Sequence, residues 1–192
     1  MQKTIARLCL LLTVVLAACT TPPAGPPPLV PAASLPPAWQ HQGRHDYEKQ
    51  NPGLGFSDKY QSPAGVIDVY SYDLQQPHWR AGVQDPAFDR HFQSTLDEVR
   101  YFVQRGVYTD LQQGKPRDVT LAGQVFRTVA LRFSREGRPI ESHTYLTAVD
   151  GRLLKYRLSF FLPAPFEPAD HAREFVERSF AAARSQAAVP AR

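Results

Sequence analysis

The side chains best able to do chemistry are concentrated between residues 132 and 159, where Arg132, Glu141, His143, Tyr145, Lys155, Arg157 and Ser159 recur among apolar residues. Strand residues two apart share a face. These seven therefore fall on the polar side of three consecutive antiparallel strands, provided that the turns between them keep register. A two-residue turn at Glu136-Gly137 pairs Phe133 with Ile140, Val129 with Thr144 and hence Arg132 with Glu141. At Asp150-Gly151 a three-residue loop with a glycine bulge is expected, pairing Leu146 with Tyr156. His143 then opposes Ser159, and Tyr145 opposes Arg157, each about 5 Å apart at Cβ. Ser159, His143 and Glu141 are the residue types of nucleophilic hydrolysis. A mid-strand serine, however, has no sharp turn to expose it and no adjacent oxyanion hole, so no residue is assigned a catalytic role. The same residues also read as a solvated face of cross-strand charge pairs. A third reading makes Arg132, Tyr145, Lys155 and Arg157 a basic and aromatic platform for an anionic component or a partner protein.

Other constellations carry less. His41, His45, His78, His91, His143 and His171 are scattered, with no HxH spacing, and only His41, His45 and Asp46 approach a ligand group. Gly53 and Gly55 form a GxG with no helix after it to receive a phosphate, so glycine serves the turn there. No metal and no cofactor is expected. The loop around His78-Trp79-Arg80 offers an aromatic residue that either tucks onto the domain or anchors a partner. Trp79 and His143 therefore join Arg132, Tyr145, Lys155 and Arg157 as candidates for a binding surface.

The elements that would position these residues follow from periodicity. Tyr47 to Lys49, Phe56 to Gln61 and Val66 to Tyr72 read as strands, separated by Asn51-Pro52-Gly53 and Ser62-Pro63-Ala64-Gly65. Asp85 caps a helix with Pro86 at its first position, and Phe88, Phe92, Leu96, Val99 and Val103 recur at helical spacing until Gly106. Runs near Tyr108 and Val119 precede the three long strands. In the last of these Leu154, Tyr156, Leu158 and Phe160 share a face. Glu167 to Arg184 carries Ala172, Phe175, Val176, Ser179, Phe180 and Ala183 on one stripe, with acids early and arginines late. The expected fold is α+β, a mainly antiparallel sheet of five to seven strands with both amphipathic helices on one face. A three-layer α/β/α sandwich is the alternative.

The domain organisation comes from composition. With 43% hydrophobic and 21% charged residues the chain is too apolar to be disordered throughout, yet eight of its 18 prolines lie between Pro22 and Pro37. Residues 1–18 have the layout of an export signal: Lys3 and Arg7, an apolar run from Leu8 to Leu16, then small residues. The run is too short to span a bilayer. Leu16-Ala17-Ala18-Cys19 resembles the lipobox of bacterial lipoproteins, in which the cysteine thiol takes a diacylglycerol and becomes the first residue. That resemblance implies acylation of Cys19 and a lipid anchor of two or three chains, which holds a protein at a membrane durably. The absence of Asp after the cysteine, where Thr20 and Thr21 stand, favours the outer membrane of a Gram-negative bacterium over the inner one. Residues 19–38 read as the lipidated cysteine and a Pro/Ala-rich tether reaching roughly 50–60 Å, residues 39–185 as one domain, and residues 186–192 as a disordered tail.

Loss of the signal leaves 20 basic against 18 acidic side chains. A net charge of +2 with interspersed signs gives no footprint for nucleic acid. Cys9 leaves with the signal and Cys19 is acylated, so no disulfide is available and the domain is held by packing alone. The order of a small meander, helix, antiparallel strands and terminal helix, with Asn51-Pro52-Gly53-Leu54-Gly55-Phe56-Ser57 near its start, is similar to PsbP-like proteins, the lumenal photosystem II subunits and their bacterial relatives. The resemblance implies an accessory or binding module in place of an enzyme. The function expected is thus a non-enzymatic accessory module anchored on the periplasmic face of the outer membrane, contacting another envelope protein or an anionic envelope component. Two alternatives stand beside it: a small envelope hydrolase using His143, which requires a concavity at that residue, and a purely structural envelope protein.

Overall fold

A computed structural model describes residues 27–76 and 78–187. The signal segment, Cys19, the first part of the tether and residues 188–192 of the expected tail lie outside the described residues. Among the described residues eight strands form one antiparallel sheet: β1 (Gln40–Asp46), β2 (Phe56–Ser62), β3 (Gly65–Tyr72), β4 (Thr109–Gln113), β5 (Arg117–Leu121), β6 (Gln124–Arg135), β7 (Arg138–Val149) and β8 (Arg152–Phe161). Their order is β1-β2-β3-β8-β7-β6-β4, and β5 shares the β6 edge with β4. The class is α+β, as read from the sequence, and the sheet is one strand larger than the upper expectation. Residues 47–49 are not a strand: the Tyr47 and Glu48 N–H groups donate to the Gly55 carbonyl, and the strand lies just before them, at β1.

The two helices, α1 (Phe88–Gln104) and α2 (Pro168–Ala187), lie on opposite faces of the sheet. This corrects the expectation of a common face and matches the three-layer alternative. On α1 the residues Phe88, Phe92, Leu96 and Val99 are buried against Val129, Leu131, Leu146 and Leu153. The N-cap of α1 is Ala87, with Phe88 as its first residue, so Asp85 and Pro86 lie in the turn before the helix and not at its cap; there the Asp85 carboxylate accepts the Ala87 N–H at 2.8 Å. On α2 the residues Ala172, Phe175, Val176 and Phe180 pack on Ile67, Val69, Phe126, Tyr156 and Leu158. Strand β8 contributes to both cores, with Leu153 to one and Tyr156, Leu158 and Phe160 to the other.

With both faces covered, polar/apolar alternation no longer tells which side of the sheet an apolar set must face, so it does not report the β7–β8 register. The Glu136-Gly137 turn is the expected two-residue hairpin, pairing Phe133 with Ile140 and Val129 with Thr144. Asp150-Gly151 is also a two-residue turn, with φ of 51° and 75° at its two residues, the left-handed pair that closes the tightest hairpins. It pairs Leu146 with Lys155, His143 with Leu158 and Tyr145 with Tyr156. The expected bulge is absent and β8 is turned over relative to the sequence reading. Segment 27–38, read from composition as extended tether, lies against the sheet. Val30 is fully buried, its N–H donating to the Tyr60 hydroxyl at 3.0 Å, and the Leu29 N–H donates to Asp58 at 2.7 Å.

Candidate functional site

Turning β8 over divides the cluster of seven. Glu141, His143 and Tyr145 occupy odd positions of β7 and face the α2 side with Arg132 of β6, whereas Lys155, Arg157 and Ser159 face the α1 side. Ser159 meets the Ser142 hydroxyl at 2.9 Å on that second face, so it cannot join His143 in a nucleophilic triad. Lys155 lies between α1 and the sheet, its ammonium 4.5 Å from the Tyr70 ring centroid and 3.9 Å from Glu98. Burial lowers its pKa. Arg157 donates to the Tyr108 hydroxyl at 3.3 Å. Trp79 is only 4% exposed; its indole N–H donates to the Asp73 carbonyl at 2.8 Å, which removes it from the candidate surface. His41 and His45 lie against different rings, Tyr60 and Tyr47.

What remains together forms the floor of a cleft of about 660 Å³ between β5, β6, β7 and the start of α2. Glu141, His143 and Tyr145 are each about 95% buried in it. A buried carboxylate needs partners for both oxygens. Arg132 donates to Glu141 Oε2 from Nε at 2.8 Å and from Nη2 at 2.7 Å, and Oε1 lies 2.9 Å from His143 Nε2. Burial lowers the His143 pKa and outweighs the opposing Glu141 carboxylate. The imidazole is therefore neutral near pH 7, its Nε2–H donating to Glu141, and Nδ1 is the nitrogen left for a ligand. Burial raises the Tyr145 phenol against the opposing Thr128 hydrogen bond and the Arg117 and Arg173 charges, so it stays a donor.

The rim is cationic. Lys115, Arg117 and Arg173 line the cleft, and among the described residues none has a carboxylate within 4 Å. Glu167 and Asp170, at the start of α2, stand on the same rim. Val119, Leu121 and Ala130 supply apolar wall. Chemically the site combines a positioned neutral imidazole, a phenol donor and unpaired cations, which suits an anion carrying carboxylate or phosphate groups. The sequence pointed to Arg132, His143 and Tyr145 but not to Lys115, Arg117 or Arg173. Those three come from a short edge strand, the loop before it and a helix start, where no periodic pattern marks a shared face.

No family model matches the chain, and no curated protein matches it. Among solved structures it is similar to the solution structure of cyanobacterial PsbP from Synechocystis sp. PCC 6803, with a TM-score of 0.43 and 14% identity, over 65% of this chain and 71% of that one. It is also similar to a protein of unknown function from Pseudomonas aeruginosa, PA94, with a TM-score of 0.33 and 14% identity, over 82% of this chain and 89% of that one. At these identities both likenesses describe backbone arrangement alone.

Proposed function

We propose that this chain is a lipid-anchored accessory module of the bacterial envelope, held at the periplasmic face of the outer membrane through Cys19, whose working part is the cleft above β5–β7. The observation carrying the binding assignment is the set of unpaired cations, Lys115, Arg117 and Arg173, around a floor whose Glu141 carboxylate is already satisfied by Arg132 and His143. Gathered like charges repel, and an anionic ligand or the acidic surface of a protein partner relieves that repulsion. The floor adds directional contacts from the Tyr145 hydroxyl and His143 Nδ1. The anchor assignment rests on the Leu16-Ala17-Ala18-Cys19 motif.

Both parts are testable in cells. A photo-crosslinker at position 120, on the cleft rim, is expected to capture one defined species that disappears when Arg117 and Arg173 are both changed to Glu. Capture that is indifferent to these charges overturns the binding assignment. Cys19→Ala is expected to release the protein into the soluble periplasm, and a variant still sedimenting with membranes overturns the anchor. A second reading is favoured by His143 lying in a concavity with Glu141 orienting it: general-base hydrolysis, in which Nδ1 takes a proton from an attacking water. Turnover of anionic esters by the wild type and its loss in His143→Ala would support it; no turnover by the wild type rejects it.

A further inference from the structure

The opposite face of the sheet carries a second cleft, of about 510 Å³, at the end that α1 leaves open. No residue of α1 lines it. Its centre is a row across three strands, with Lys59 on β2 beside Asp68 on β3, and Asp68 beside Arg157 on β8. Directly opposed residues would ordinarily pair. Here they do not: Arg157 turns to the Tyr108 hydroxyl at 3.3 Å, and among the described residues Asp68 has no cation within 4 Å and accepts no hydrogen bond. Arg138 joins the rim with its guanidinium stacked 3.6 Å over the Phe161 ring, which fixes its plane. Burial raises the Asp68 pKa despite the opposing charges of Lys59, Arg157 and Lys155, as befits a half-buried carboxyl that lacks a donor.

We infer that this cleft binds a small amino-dicarboxylate, its ammonium on Asp68 and its carboxylates on Arg157, Arg138 and Lys59. The charges select this class. A dianion without an amine would meet the Asp68 carboxylate at close range, and a simple amine would leave three cations unpaired. One ammonium between two carboxylates reproduces the alternation of the row in reverse. The cleft is roomy enough to admit such a ligand, and the planar guanidiniums of Arg157 and Arg138 suit carboxylates. The site is independent of the cleft on the α2 side, from which the sheet separates it.

The test is an amide-resolved NMR titration of the full chain with L-glutamate, and with glutarate as the same diacid without an amine. L-Glutamate is expected to shift amides of β2, β3 and β8 around Lys59, Asp68 and Arg157, binding roughly tenfold tighter than glutarate, the worth of one charged hydrogen bond. Asp68→Asn, close to isosteric, is expected to abolish that preference, and Arg157→Gln to weaken both ligands by roughly tenfold. The inference is overturned by any of three results: no shifts at these positions, shifts only on β5–β7, or glutarate binding as tightly as L-glutamate.

Discussion

Two buried carboxylates carry much of the polar structure, and they differ in what their loss would strand. Glu141 holds His143 and Arg132, but the imidazole is neutral and Arg132 is 63% exposed and can return to water. Asp58 is fully buried and holds the Leu29 N–H, the Arg44 guanidinium at 2.8 and 2.7 Å, and His41 at 3.5 Å. Burial alone would raise the Asp58 pKa, but hydrogen bonds from Arg44 and Leu29 outweigh it and hold the carboxyl below its ordinary value. Removing one partner of a buried charge network costs most where the remaining groups stay buried. Asp58→Ala is therefore expected to lower unfolding free energy by about 3 kcal/mol, and Glu141→Ala by about 1–2 kcal/mol. Urea midpoints measure both, and equal losses would contradict the account. Stability from Asp58 is full above its unfolded pKa near 4 and is lost as pH falls through the lower folded value.

Among the elements, α1 has a titratable joint with the sheet. His91 Nε2 lies 2.7 Å from the Tyr72 hydroxyl, with the Trp79 ring beside it and the Ser94 hydroxyl 3.3 Å from Nδ1. Burial, reinforced by the Lys155 charge, pushes its pKa down to about 4. The unfolded imidazole binds its proton near 6.5, so between about 6.5 and 4 the unfolded chain holds more protons and stability falls as the pH falls. The loss expected over that window is on the order of 2 kcal/mol after allowance for partial exposure, and His91→Gln should flatten the profile. An unchanged profile in that variant would assign the effect to His143 or His171, whose pKa values burial also lowers.

The hairpins show what was legible in the sequence. Glu136-Gly137 joins strands with a polar and an apolar side, so pattern and turn chemistry agree and the register can be read. After Asp150-Gly151 the strand still alternates, Leu154, Tyr156, Leu158 and Phe160 against Lys155, Arg157 and Ser159, but its apolar set faces α2 while Leu146 and Ala148 of β7 face α1, so matching apolar faces across that turn gives the wrong register. Turn chemistry alone was the better guide there. That one register decided whether the basic and polar residues formed one cluster or two. Gly151→Ala is expected to cost about 1 kcal/mol, because φ of 75° is unfavourable for a residue with a Cβ while the space itself is open, the nearest atom being 3.5 Å away. A melting temperature unmoved by this change would argue against the tight turn.

For the whole molecule, the docking of segment 27–38 resets the geometry of the proposed anchor. Composition suggested a spacer of roughly 50–60 Å between bilayer and domain. With Leu29 and Val30 clipped to β2, and Trp39 buried against Phe160 and Phe175, only residues 20–26 separate Cys19 from the docked segment. However they run, covalent geometry limits them to roughly 25–30 Å. With the proposed anchor at Cys19, the domain would be held close to the membrane, and the clip at Asp58 and Tyr60 would set the distance. Val30→Asp, which forces a charge into a fully buried site, is expected to free the segment and let the domain move outward. Energy transfer from a donor label on the domain to acceptor lipids in vesicles carrying the acylated protein measures this. Efficient transfer in the wild type should fall markedly in Val30→Asp, with circular dichroism verifying that the sheet persists. Equal and weak transfer in both would mean that the segment behaves as the free tether its composition suggested. Equal and strong transfer would mean that contacts of the domain itself, independent of the clip, keep it at the surface.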